Sequence, residues 1–406
     1  GDTPLHIACK KENLKAIQLL IAHPDIKVDE VNKHGSTPLY ISCQRRDSKA
    51  IKLLLEHSPV WITEGRDNDK LFRLACQDGN SEMVKLFLEH SNIEVNKAGE
   101  HGETLLSTAC AKGDVRLIRL LLTHPTIDVN KANNNKTTPL LVACANGHVA
   151  VVKLLLAYPG IKVNEADEDG ETPLFIACHN GFVDVVKLLL ACPGIEANKA
   201  EKKNGDTPLF IACQHGVMGA VKLLVEHPEI EINKKSKDGV TPFYMACQSS
   251  FLPVVKLLLH SNHLDVNQVE PEQQYTPLLV SCLSPATRKN RELFRLLLEN
   301  KANLYHKNSK GETALDIAFS QKNNAAVEEI LSYAKKENLP LVSLMSSKTQ
   351  EMARDWAFSL DLLLADHNRF FASHPLLALK QFVQQQLPDM EHLSVAQQKS
   401  QIYANS

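Results

Sequence analysis

The sequence predicts an all-α array of stacked helical hairpins, on three observations that share one period. Thr-Pro-Leu recurs from Thr3, Thr37, Thr138, Thr172, Thr207 and Thr276, with variants starting at Thr104, Thr241 and Thr313. Cysteines fall at 9, 43, 76, 110, 144, 178, 213, 247 and 282, so the intervals run from 33 to 35 residues. An apolar run of the "VVKLLL" kind recurs with them, as at Val151–Leu156, Val185–Leu190 and Val255–Leu259. Self-similarity at such a period marks a repeat array rather than two or three ordinary domains.

Each unit reads as two helices and a protruding turn. Threonine is placed to accept a hydrogen bond from the first helical turn. Proline follows at the first helical position, where its missing N–H costs nothing. A short apolar helix such as "LFIAC" at Leu174–Cys178 comes next, and Gly79, Gly113, Gly147, Gly181 or Gly216 supplies the turn. The second helix is apolar on most faces and so must lie between neighbours. Pro159-Gly160 and Pro193-Gly194 stop it. Stretches such as "IKVNEADEDG" then return as an extended finger to the next threonine.

The phrase "TPLHIAC" at Thr3–Cys9, the period and the second-helix run together resemble the ankyrin repeat over about residues 1–337, ten units, the last with Phe319 in the cysteine position. The resemblance implies an ankyrin-repeat solenoid. Three places depart from the pattern. Lys70-Leu71 replaces Thr-Pro, so a looser helix start is expected there. "SPVWITEGRDN" replaces a finger, and Ser284–Asn290 lengthens one turn. The chain opens in mid-phrase without methionine, so further sequence upstream is expected.

Ten cysteines invite chemistry, and spacing argues against it. A disulfide needs Cα atoms within about 7 Å, whereas equivalent residues of stacked helices sit about 10 Å apart. No Cys-x-x-Cys pair exists for zinc. The repeating thiols are therefore expected as small buried packing residues in a reducing compartment. Cys192 stands apart at a second-helix end, as a packing residue or an exposed reactive thiol. Histidines 23, 57, 90, 124 and 227, and Tyr158, share its position, where an imidazole meets free carbonyls.

Lys plus Arg total 45 against 47 Asp plus Glu, a formal charge of −2, which gives no reason to expect nucleic acid. Lys10-Lys11, Arg45-Arg46, Lys202-Lys203 and Lys234-Lys235 read as solvated ends. No apolar run reaches the roughly 18 residues of a membrane span. Phosphate-loop, His-Glu-x-x-His and Gly-x-Ser-x-Gly motifs are absent. No catalytic residue, cofactor or metal is expected.

Ankyrin arrays bind proteins through finger tips and the concave face, so the resemblance implies a non-enzymatic, monomeric, cytoplasmic scaffold with a protein partner. The positions that drift between units supply the candidates. At first-helix ends these are Gln44, Arg45, Gln77, Asp78, Lys112, Asn146, His179, Asn180, Gln214, His215 and Gln248; at finger tips, Glu168 and Lys203. His179, Asn180, Gln214 and His215 read as a central polar patch. Phe175 and Phe210, in the position of His6, either anchor it half-exposed or pack under the fingers. The unit style is also similar to arrays in effectors that intracellular bacteria deliver into host cytoplasm. The rival reading is the substrate-recruiting part of an enzyme whose catalytic region lies upstream or in the tail.

Past residue 337 the pattern changes. Met352, Trp356, Leu360, Leu363 and Leu364 predict a helix from about Lys348 to Phe371. Pro375 opens "PLLALKQFVQQQL", and Pro388 ends it. Residues 338–406 are expected to cap the last unit or to form a small interaction module. Asp355, Asp366, His367, His374 and His392 could supply acid–base groups there, but no spacing among them names a reaction.

Overall fold

The computed structural model describes residues 1–57, 71–73, 75–76, 81–90, 93–261, 263–284, 288–353, 355 and 375–386. Among them every regular element is helical. The expectations for Lys70, for "SPVWITEGRDN", for Gln77 to Gly79 and for Trp356 lie outside the described residues. So do those for Asp366, His367, His374 and His392. The chain divides into two compact units, Gly1–Ile195 and Glu196–Ser406.

In the first unit the first helices are Pro4–Lys10, Pro38–Arg45, Leu105–Lys112, Pro139–Ala145 and Pro173–His179. The second helices are Leu14–Ile21, Ser48–His57, Ser81–His90, Val115–Leu121, Val149–Leu156 and Val183–Leu190. First helices pack on first helices of the neighbouring repeat, and second on second. The second unit repeats this with first helices Pro208–Gln214, Pro242–Gln248, Pro277–Cys282 and Ala314–Ser320. Their partners are Met218–Val225, Leu252–Leu259, Arg288–Glu299 and Asn324–Lys336. A 3-10 turn at Leu341–Leu344 and the helix Pro375–Gln386 then pack against each other. The turn also meets Ala314–Ser320, and the helix meets Asn324–Lys336.

Local stereochemistry accounts for the first helices. Thr37, Thr138, Thr172, Thr207, Thr241 and Thr276 hold extended backbone, accept the N–H three residues on, and precede proline. Second helices start in two ways. Asn13, Asp47, Asp114 and Asn323 cap them with a side chain. At His148, Phe182, Val217 and Phe251 no side chain caps the helix. Phe182 lies instead over Gly147 of the preceding repeat, where an added Cβ would stand 2.6 Å from its ring; Gly147 also has φ +69°. Packing between repeats takes the place of the cap there.

The fingers show how loop length selects chemistry. In shorter fingers an Asn or Asp side chain bonds the N–H groups two and four residues ahead, as Asn32, Asn133, Asp167 and Asn308 do. Two fingers carry one residue more, and both use glutamate, whose longer side chain spans the wider loop. Glu201 accepts from Lys203, Asn204 and Asp206, and Glu270 from Glu272 and Gln273. These insertions are the 35-residue intervals before Cys213 and Cys282.

Candidate protein-binding surface

The cysteine positions form the floor of the stack. Cys9, Cys43, Cys76, Cys110, Cys144, Cys178, Cys213, Cys247 and Cys282 are 0–5% exposed. Burial pushes the Cys43, Cys110 and Cys76 thiols up to about 12, and Cys144, Cys178, Cys247 and Cys282 upward as well. A thiolate is the reactive form, so these groups are chemically inert. Serine replaces the neighbouring alanine at Ser42 and Ser281, where each buried hydroxyl donates to the carbonyl four residues back, at 3.1 and 2.7 Å. Cys192 is half-buried, its thiol faces the Leu188 carbonyl at 3.4 Å, and burial pushes it up too. That environment does not activate a nucleophile.

Above this floor lie the drifting positions. In the first unit Gln44, Arg45, Lys112, Asn146, His179 and Asn180 are exposed, and the last four ride on three consecutive first helices. In the second unit His215 and Gln248 are exposed and Gln214 is half-buried, on two consecutive first helices. The central patch therefore falls as His179 and Asn180 in one unit and Gln214 and His215 in the other. Glu168 and Lys203 are exposed at finger tips. Gln77 and Asp78 lie outside the described residues.

Asn180 and Asn146 are tied to the framework. The Asn180 amide donates to the Ala145 carbonyl of the preceding repeat at 3.1 Å, and the Asn146 amide to Val142 in its own helix at 2.8 Å.

Phe175 and Phe210 do not anchor the patch: they are 3% and 5% exposed. Their position faces the next finger rather than solvent, as its polar occupants show. His6 Nε2 lies 2.8 Å from the Ser36 carbonyl, and the Asp316 carboxylate accepts from Ser346 N–H at 2.8 Å. His179 stands edge-on to Phe175, ring centroids 6.4 Å apart.

The histidine row divides in two. His57 places Nδ1 3.0 Å from the carbonyl four residues back, so there the expected helix-end bond forms. His23, His124 and His227 instead accept the N–H two residues ahead, at 3.3–3.4 Å. Proline follows each of these three and draws the histidine out of the helix. Serine follows His57.

Sequence reasoning overlooked an asparagine ladder. Asn96, Asn130, Asn164, Asn198, Asn233 and Asn267 each donate through Nδ2 to a carbonyl in the next repeat, at 2.6–3.1 Å. Most also accept a backbone N–H there, as Asn130 does from Lys162 at 2.9 Å. The signal was visible as the Val-Asn that recurs at Asn96, Asn130, Asn164 and Asn267. The ladder ties each of these fingers to the next, and backbone bonds such as Glu168 N–H to the Asn135 carbonyl at 3.1 Å join tips as well.

One finger holds a titrating group. Asp206 is 7% exposed, and burial together with the Glu201 charge raises its carboxyl to about 6, while Asn204 offers it a hydrogen bond and Asp238 adds repulsion. Burial pushes Glu201 up as well, yet the N–H groups of Asp206, Asn204, Lys203 and Gly205 outweigh that and leave it below its ordinary value. Between about pH 4 and 6 folded Asp206 holds a proton that the unfolded chain has released, so its contribution to stability falls as pH rises through that window. Asp206→Asn is expected to flatten this slope and to raise stability at pH 7 by about 1–2 kcal/mol. Urea titrations at several pH values measure it, and an unchanged slope would refute the assignment.

Among the described residues no group of three or more His, Cys, Asp or Glu is placed to hold a metal, and Asp355 is exposed. No described helix is long and apolar enough to cross a membrane.

A family model of ankyrin repeats in three copies matches residues 1–64, 60–133, 127–201 and 193–270. No curated protein matches the chain. Among solved structures, the human ASB11 ankyrin repeat domain is 29% identical, with a TM-score of 0.48, over 57% of this chain and 98% of that one. The ankyrin repeat protein EF0377 is 26% identical, with a TM-score of 0.47, over 51% of this chain and 100% of that one. The family match spans well over half of the sequence, with the helical hairpins, buried cysteine positions and fingers in the same period: the chain belongs to the ankyrin repeat family, whose repeats are a protein–protein interaction module.

Proposed function

We propose that this protein is a non-enzymatic scaffold that holds a partner protein on its first-helix ends and finger tips. One observation carries the reading. The repeating leucine and cysteine positions of the first helices are buried, while drifting positions at the first-helix ends are exposed and fall in register, as Lys112, Asn146 and Asn180 do in successive repeats. A preformed face of this kind loses little conformational freedom on binding. Residues 338–406 serve as a cap in this reading. It is supported by the Thr313 hydroxyl bonded to the Leu344 carbonyl at 2.6 Å, and by the helix Pro375–Gln386 lying against Asn324–Lys336.

The test is affinity capture with the full chain, followed by mass spectrometry, with Arg45→Ala/His179→Ala and His215→Ala/Gln248→Ala as variants. Asn146 and Asn180 are left intact because their amides bond the framework. Specific partners are expected to drop about tenfold in at least one variant, which corresponds to about 1.4 kcal/mol, with no change in thermal midpoint. Partners recovered equally from wild type and both variants would remove the first-helix ends from the binding surface.

A further inference from the structure

Asparagine is followed by glycine at Asn146-Gly147, Asn180-Gly181 and Asn204-Gly205. In such a pair the glycine nitrogen can close on the asparagine carboxamide, because no Cβ stands in its way. The fold treats the three pairs differently. At the first two, which end first helices, both reacting groups are held by backbone carbonyls. Gly147 N–H donates to the Cys144 carbonyl at 3.2 Å and Gly181 N–H to that of Cys178 at 3.3 Å. The Asn146 and Asn180 amides donate to the Val142 and Ala145 carbonyls. Such partners neither take up a proton nor supply one.

At Asn204-Gly205 the same two groups meet carboxyl groups. Gly205 N–H bonds the Glu201 carboxylate, which also accepts from Asn204 N–H at 2.5 Å and from Asp206 N–H at 3.1 Å. The Asn204 amide donates to the Asp206 carboxyl. Glu201 and Asp206 are buried, while Asn204 is exposed to water. From the next finger Asp238 adds repulsion at Asp206, and the Lys237 ammonium lies on the carbonyls of Lys202 and Lys203. Glu201 is held ionised to below its ordinary value, and Asp206 keeps its proton up to about pH 6. Between those values one carboxyl is a base and the other an acid, each hydrogen-bonded to a reacting group.

We propose that this finger carries a self-modification site, where Asn204 loses ammonia to become aspartate or isoaspartate, with Glu201 as general base and Asp206 as general acid. The Gly205 nitrogen attacks Asn204 Cγ as its proton passes to Glu201. The Cγ–Nδ2 bond breaks, and ammonia leaves with the proton that Asp206 gives up. Water then opens the cyclic imide. Opening at Cγ leaves aspartate, and opening at the backbone carbonyl leaves isoaspartate, whose main chain is one methylene longer. Either product sets a third carboxylate beside Glu201 and Asp206. Isoaspartate also takes out of the main chain the carbonyl that accepts Lys237 N–H at 2.7 Å, so the bond between this finger and the next loses its fixed acceptor. The change falls beside Lys203, at a tip of the proposed binding surface.

The test incubates the full chain at about pH 5, folded and in urea, and follows ammonia loss at all three asparagines by peptide mapping and mass spectrometry. In the folded chain position 204 is expected to convert at least about tenfold faster than positions 146 and 180, and faster than in urea, where the three should convert alike. The advantage is expected to fade above about pH 6, as Asp206 ionises. Asp206→Asn and Glu201→Gln are each expected to slow position 204 about tenfold. Hydrogen exchange at the Lys237 amide reports whether each variant keeps the finger in place; where Glu201→Gln loosens it, Asp206→Asn decides alone. The same amide is expected to exchange faster once isoaspartate has formed, and to stay protected in Asn204→Asp, whose main chain is intact. Equal rates at the three positions of the folded chain, a folded rate at position 204 no higher than in urea, or an undiminished rate in Asp206→Asn would each overturn the site.

Discussion

Cys178→Asp is expected to cost more than about 4 kcal/mol, whereas Cys178→Ala costs about 1 kcal/mol. Cys178 is fully buried, and Leu174, Phe175, Ala177, Val185, Val186 and Leu189 of the same hairpin are buried with it. Its thiol is pushed upward by burial alone, so nothing nearby favours a negative charge. An aspartate must either ionise there without a partner or keep a proton with its hydrogen bonds unmet. Each repeat of such an array is stabilised by its neighbours, so the damage should appear as a second, earlier transition in urea denaturation followed by far-ultraviolet dichroism. Alanine should keep a single transition and full partner capture. Equal tolerance of alanine and aspartate would mean that the cysteine position opens to water, and the packing account of all nine would fail with it.

Asp316→Ala is expected to cost about 2–4 kcal/mol and to free the segment after residue 337 from the last repeat. The Asp316 carboxylate is 5% exposed and accepts from Thr313 N–H and Ser346 N–H, both at 2.8 Å. Loss of a first-turn cap alone would cost about 1 kcal/mol. The excess comes from donors left buried and unmet on both sides of the contact. Burial pushes the carboxyl up, but bonds from Thr313, Thr349 and Ser346 outweigh it and leave the group below 3.8. Its contribution is therefore complete above about pH 4 and lost as the pH falls through the lowered value. Hydrogen exchange should report faster exchange at Ser343 and Ser346 in the variant, with Asp316→Asn intermediate because one acceptor oxygen remains. Unchanged exchange at these amides would refute the role of Asp316 as the tie between the last repeat and the residues that follow.

What the sequence determined by itself was everything settled within a few residues. Thr172 followed by Pro173 starts a helix wherever the pair stands, because the cap and the missing N–H act within one turn. The left-handed turn at Gly147 and the burial of the regularly spaced cysteines were legible for the same reason. What only the tertiary structure decided are contacts some 30 or more residues apart, made where one repeat leans on the next. Burial took Phe175 and Phe210 out of the patch. Others joined Asn130 to Gly160 and Lys237 to Asn204, and aimed Glu201 and Asp206 inward while the lysines beside them face solvent. A period states that neighbours meet; which atoms meet depends on how one repeat is set against the next, and local stereochemistry does not carry that information.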